Sequence, residues 1–252
     1  MPVVFAGIVP NSPRLLPGLV PTVRSQVVKT VDGMAKLKRL AESTQPEILL
    51  IIGEDDLAVT SPVLLQAPNF TGSFAELGDL VTNVSRPGAV GFIHSLKEKL
   101  QLKLEIPMQT PKKLPTSLAL PLLYLPDIAV APIVLPHNPS PQLLIDFGQE
   151  LGDFLATQKK RVLLVAAGHL AVAKPTNDDK MVLARALLRG IASSNSDALL
   201  ELATNLKSKL NDTLIFPVIL TYRSLPTSNP KITVLVSEEV QGIIHVVGKI
   251  SW

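Results

Sequence analysis

The chain has 252 residues, a formal net charge of +3 and no cysteine. Its length suits one domain able to bury a substantial core. The missing cysteine excludes disulfides, thiolate metal sites and thiol catalysis, and fits a cytoplasmic location. The basic clusters at Lys97, Lys99 and Lys103, at Lys112 and Lys113, and at Lys159, Lys160 and Arg161 read as solvated surface. With 4% aromatic residues there is no stacking platform, so no nucleic-acid partner is expected.

Taken in chain order, Val3 to Val9 reads as a strand, followed by a turn through Pro10, Pro13, Pro17 and Pro21. A helix is expected from Thr22 to about Ser43, stopped before Pro46. Ile48 to Ile52 is a continuous apolar run of the kind buried on both faces of a sheet. Residues 61 to 73 read as loop, and Gly88 to Leu100 as a helix. Asp127 to Leu135 is a strand, and Pro139-Ser140-Pro141 opens a helix through Leu155. Arg161 to Ala167 is the cleanest strand. Helices near Asp178 to Arg189 and Ser196 to Lys209 follow, then strands Lys231 to Val236 and Gly242 to Ile250 joined through Ser237 to Gln241. No apolar run reaches the roughly 18 residues that span a bilayer, so no membrane partner is expected, and Met1 to Phe5 do not read as the start of a secretory signal.

Strands alternating with helices predict a single α/β domain over 1–252, with a central mostly parallel sheet and helices on both faces. Ligands in such sheets bind in the crevice beyond the carboxyl ends of the strands. Asn11, Asp55, Asp56 and Val172 are therefore expected there, with His137 after the Leu135 strand end and His169 after Ala167. His94 reads as a surface or core-filling residue and His245 as packed inside the last strand. No GxGxxG, GxxxxGK[ST] or GxSxG motif is present, so neither nucleotide phosphates nor a serine elbow are indicated.

Four segments carry a family resemblance. They are Pro10-Asn11-Ser12-Pro13, Gly53-Glu54-Asp55-Asp56, Leu114-Pro115-Thr116-Ser117-Leu118, and Ala167-Gly168-His169-Leu170-Ala171-Val172. With Ala67 to Phe74 beside them, they resemble the strand-to-loop signatures of the class III extradiol ring-cleavage dioxygenases, the LigB superfamily that includes the Memo-type proteins. The resemblance implies a LigB-like fold and a non-heme Fe(II) centre that cleaves catecholic rings. It also implies histidine at positions that here hold Asn11, Asp56, Thr116 and Val172, Val172 standing where the acid/base histidine stands. The run Val234 to Glu239 is similar to the strand bearing the family's carboxylate ligand, with the choice between Glu238 and Glu239 open.

Two expectations follow. The first is a non-catalytic or repurposed member that binds a small aromatic molecule or a protein partner without Fe(II). The second is a divergent metal-dependent dioxygenase or other metalloenzyme using Asp56 and Asn11, Glu238 or Glu239, and a displaced His169 or His137. Apolar edge strands also allow a homo-oligomer.

Overall fold

The computed structural model describes residues 2–55, 61–171, 178–193, 195–206, 212–227 and 229–252. Its centre is a run of four parallel strands, β1 (Val3–Val9), β8 (Val162–Ala167), β2 (Ile48–Glu54) and β7 (Ala129–Leu135), lying side by side in that order. Antiparallel pairs flank them. β11 (Ile243–Ser251) joins β1, and β10 (Lys231–Val240) forms the outer edge on β11. On the other side β3 (Val63–Leu65) pairs antiparallel with β7, and β6 (Met108–Gln109) closes that edge. The short β9 (Leu170–Ala171) also pairs with β11. The molecule is α/β, as composition and periodicity imply.

Burial on both faces explains why the central strands read as continuous apolar runs. In β2, Ile48, Leu50 and Ile52 face one core cluster and Leu49 and Ile51 the other. β8 alternates in the same way, with Val162, Leu164 and Ala166 against Leu163, Val165 and Ala167. The first face is covered by α3 (Val90–Leu100), α5 (Pro141–Thr157), α6 (Asp178–Ser193), α7 (Ser196–Leu206) and α8 (Ile215–Arg223). The second is covered by α2 (Val28–Glu42) and α4 (Thr116–Leu122). Each fully buried Leu or Ile contributes about 1.5–3 kcal/mol relative to exposure, so this doubly covered centre dominates the packing. Among the described residues no helix is long and apolar enough to cross a membrane.

Local chemistry sets the ends of the elements. Ser140 caps α5 by accepting the Leu143 N–H at 3.2 Å, with Pro141 in the first turn where its missing N–H costs nothing. The β10–β11 hairpin turns at Gln241 and Gly242, both with positive φ, as a two-residue turn that follows the strand twist requires. The strands therefore run to Val240 and from Ile243, and Ser237 belongs to β10 rather than to a loop.

Three expectations change. The helix expected from Thr22 is broken into a short α1 (Pro21–Arg24), a 3₁₀ turn at Ser25–Val27, and α2. Thr116 begins α4 rather than ending a strand, because Pro115 sits at the N-cap and Leu118 to Leu122 are packed into the second core cluster. The stretch expected to be loop contains β3 and most of β4 (Asn69–Phe74), which pairs with β5 (Asp79–Pro87) in a separate two-stranded sheet.

Truncating the centre should cost far more than truncating the surface. Leu50→Ala, in the fully buried β2, is expected to lower unfolding free energy by about 2–5 kcal/mol in urea titration. Leu80→Ala, on an 80% exposed side chain, should change it by less than about 0.5 kcal/mol.

Candidate functional site

The carboxyl ends of β1, β2, β7 and β8 point the same way, so the residues that follow them share one edge of the sheet. A cleft of about 300 Å³ opens there. Asn11, Asp55, Thr116, His137 and His169 line it, together with Glu54, Ser117, Glu76 and Thr213. Asp56 and Val172 lie outside the described residues.

Three side-chain pairs organise the cleft. At its inner end, His169 Nδ1 lies 2.5 Å from Asn11 Oδ1. An amide oxygen only accepts, so Nδ1 carries the proton and Nε2 keeps its lone pair. Burial pushes the His169 pKa down to about 4, against an opposing pull from Asp212, and the ring is neutral at pH 7. On the α4 side, Ser117 donates its hydroxyl to Asp55 Oδ2 at 2.5 Å. Beyond β7, His137 Nδ1 meets Glu54 Oε2 at 3.1 Å, the carboxylate side chain being 1% exposed and the imidazole 46%.

The backbone around His169 is held from both sides. Gly168 N–H donates to Val9 O, and Thr213 N–H donates to His169 O, each at 3.0 Å. The His169 N–H in turn donates to Thr213 Oγ1 at 3.2 Å. Gly168 makes this approach possible, since a Cβ there would lie 2.3 Å from Thr213 O and 2.6 Å from Leu214 Cα. Asp212 fixes the next turn, its Oδ1 accepting the N–H groups of Leu214 and Ile215 at the start of α8.

The opposite wall is the turn before β5, where Glu76 and Leu77 sit. Asp79 staples it down by accepting N–H groups from Thr82, Val81 and Gly18, the last on the loop after β1. Hydrogen bonds from the Thr82 hydroxyl and backbone lead the effects that lower the Asp79 pKa to about 2.

Glu238 and Glu239, expected as carboxylate ligands, lie elsewhere. Glu238 Oε2 accepts from Thr30 N and Oγ1 at 2.9 and 2.5 Å, and Glu239 Oε2 is 2.8 Å from Arg185 Nη2. Both stand on β10, the sheet edge two strands from β1, so their carboxylates serve the helices packed beside that edge. A ferrous site needs two imidazoles and a carboxylate on one centre. Among the described residues no three His, Asp or Glu side chains converge in that way. Asn11, already spent on His169, and the two glutamates do not fit that ligand set.

His94 is exposed on α3, and His245 is wholly buried in β11. Thr213 and Glu76 are lining residues that no sequence signal marked. Both come from segments to which the sequence assigns no element.

No family model and no curated protein matches the chain. Among solved structures, an uncharacterized protein from Escherichia coli K12 matches with a TM-score of 0.61 at 11% identity. The match covers 99% of this chain and 100% of that one. At that identity the likeness shows the fold alone.

Acid should loosen this end of the sheet. His169 and His245 are both held near pKa 4 by burial, below the ordinary histidine value of about 6.5. The unfolded chain therefore binds more protons, so stability is full above pH 6.5 and is lost as pH falls toward 4. Urea midpoints measured from pH 7 to pH 4 should fall accordingly, and His245→Leu should flatten that fall.

Proposed function

We propose that this protein binds a small polar aromatic molecule in the cleft beyond β1, β2, β7 and β8, without cleaving its ring. On this reading it is a repurposed relative of the extradiol dioxygenases that its strand ends resemble, working in the cytoplasm. The observation that carries the proposal is the pairing of the cleft's polar groups. Asn11 is bonded to His169, Asp55 to Ser117 and Glu54 to His137, in place of a converging ferrous ligand set.

Support comes from size and chemistry together. About 300 Å³ is at the lower end of the range of small-molecule sites and admits a single substituted ring. The lining combines apolar Pro13 and Leu77 with hydroxyls at Thr116, Ser117 and Thr213, and with the Nε2 acceptor of His169. A ring bearing hydroxyl donors satisfies those acceptors, and the paired side chains hold them in place before the ligand arrives.

Catechol is the probe. Two-dimensional amide NMR should show saturable shifts at Asn11, Thr116, Ser117 and Thr213. Asn11→Leu should weaken binding about 2- to 10-fold, the worth of one lost hydrogen bond. Protein supplied with ferrous iron and dioxygen should yield no ring-opened product. Iron-dependent ring cleavage would overturn the proposal and favour the divergent metalloenzyme, with Asp56 as the first residue to replace.

A further inference from the structure

His245 has no exposed surface, and among the described residues neither ring nitrogen has a hydrogen-bond partner. A buried polar group left unpaired costs about 1–3 kcal/mol, and such a group in a native fold calls for an explanation. Strand register brings this one to the base of the cleft. β1 and β11 pair with Ile8 level with Gly248, so the chain leaving β1 toward Asn11 runs in the direction of His245. β9 and β11 pair with Leu170 level with Ile244, so one step back brings His169 level with the same residue. His169 and Arg14 both lie within electrostatic reach of the His245 ring, in keeping with that placement.

We propose that His169 and His245 together bind a late first-row transition-metal ion at the base of the cleft. Imidazole nitrogens suit zinc, copper and nickel. The Asn11 oxygen behind His169 is the kind of outer partner that ligating histidines use: it fixes the tautomer and aims Nε2 as the donor. Ser12 Oγ, next to Asn11 in the chain, is buried and has no hydrogen-bond partner among the described residues. Arg14 is turned to Gln26 and Gln241, which holds its guanidinium in place. The inference goes beyond the binding of an aromatic molecule, and the metal-free protein's affinity for catechol does not depend on it.

The test is titration of the full chain with Zn²⁺, and anaerobically with Cu⁺ against a competing chelator. One equivalent of either ion is expected, with no displacement by Mg²⁺ or Ca²⁺. His245→Leu and His169→Gln should each weaken binding at least about 10-fold, and Asn11→Leu about 10- to 100-fold, as for a lost outer partner. His137→Asn should leave it unchanged. His245→Leu removes an unpaired buried group and should melt no lower than the parent, so its loss of metal is not a loss of fold. Imidazole ¹⁵N shifts of His169 and His245 on adding Zn²⁺ give a second readout. Absence of binding by both ions, or undiminished binding in His245→Leu, would overturn the proposal.

Discussion

Everything at the cleft depends on the two-sided burial of β1, β8, β2 and β7. Strands covered on both faces have no room for polar side chains along their length, and in β8 every residue from Val162 to Ala167 is buried. Polar chemistry is displaced to where the strands stop. Four parallel strands stop on the same edge, so Asn11, Asp55, His137 and His169 meet there although they are far apart in the chain.

Meeting at an edge does not by itself make a defined site. The His169 segment is set by Gly168, which lets the chain before α8 approach closely enough for Thr213 to bond the His169 backbone twice. The imidazole is then oriented by Asn11 and kept neutral by burial. The cleft therefore presents an acceptor nitrogen on a rigid backbone, and its other polar groups are held by Ser117–Asp55 and His137–Glu54. Asn11, standing where the resemblance expects a histidine ligand, is engaged in orienting His169.

Much of the fold was legible because the central strands are uniformly apolar and bounded by Pro, Gly and polar residues. β1 and β7 end where the apolar runs end, and β2 continues to Glu54, whose carboxylate is buried by its pairing with His137. What escaped notice had a weaker signal. α4 hides in Leu114 to Leu122, where Pro115 and Pro121 argue against a helix and tertiary burial overrides them. β4 does alternate, with Phe70, Gly72 and Phe74 buried, but its Asn, Thr, Gly and Ser residues read as turn, and β5 is mostly exposed and lacks a core-facing period. Within the site, Asn11, Asp55, His137 and His169 were visible as polar residues just past strand ends. The Val234 to Glu239 similarity drew attention to carboxylates on the wrong strand, because sequence alone does not say that β10 forms the sheet's edge.

The central claim is that burial keeps His169 neutral while Asn11 fixes its proton on Nδ1 and leaves the Nε2 lone pair to the cleft. Long-range ¹H–¹⁵N correlation of the histidine rings reads both tautomer and charge. The account predicts the Nδ1–H form of His169 throughout pH 7 to 5, with protonation only near pH 4. An Nε2–H form, or titration near the ordinary value of about 6.5, would contradict it.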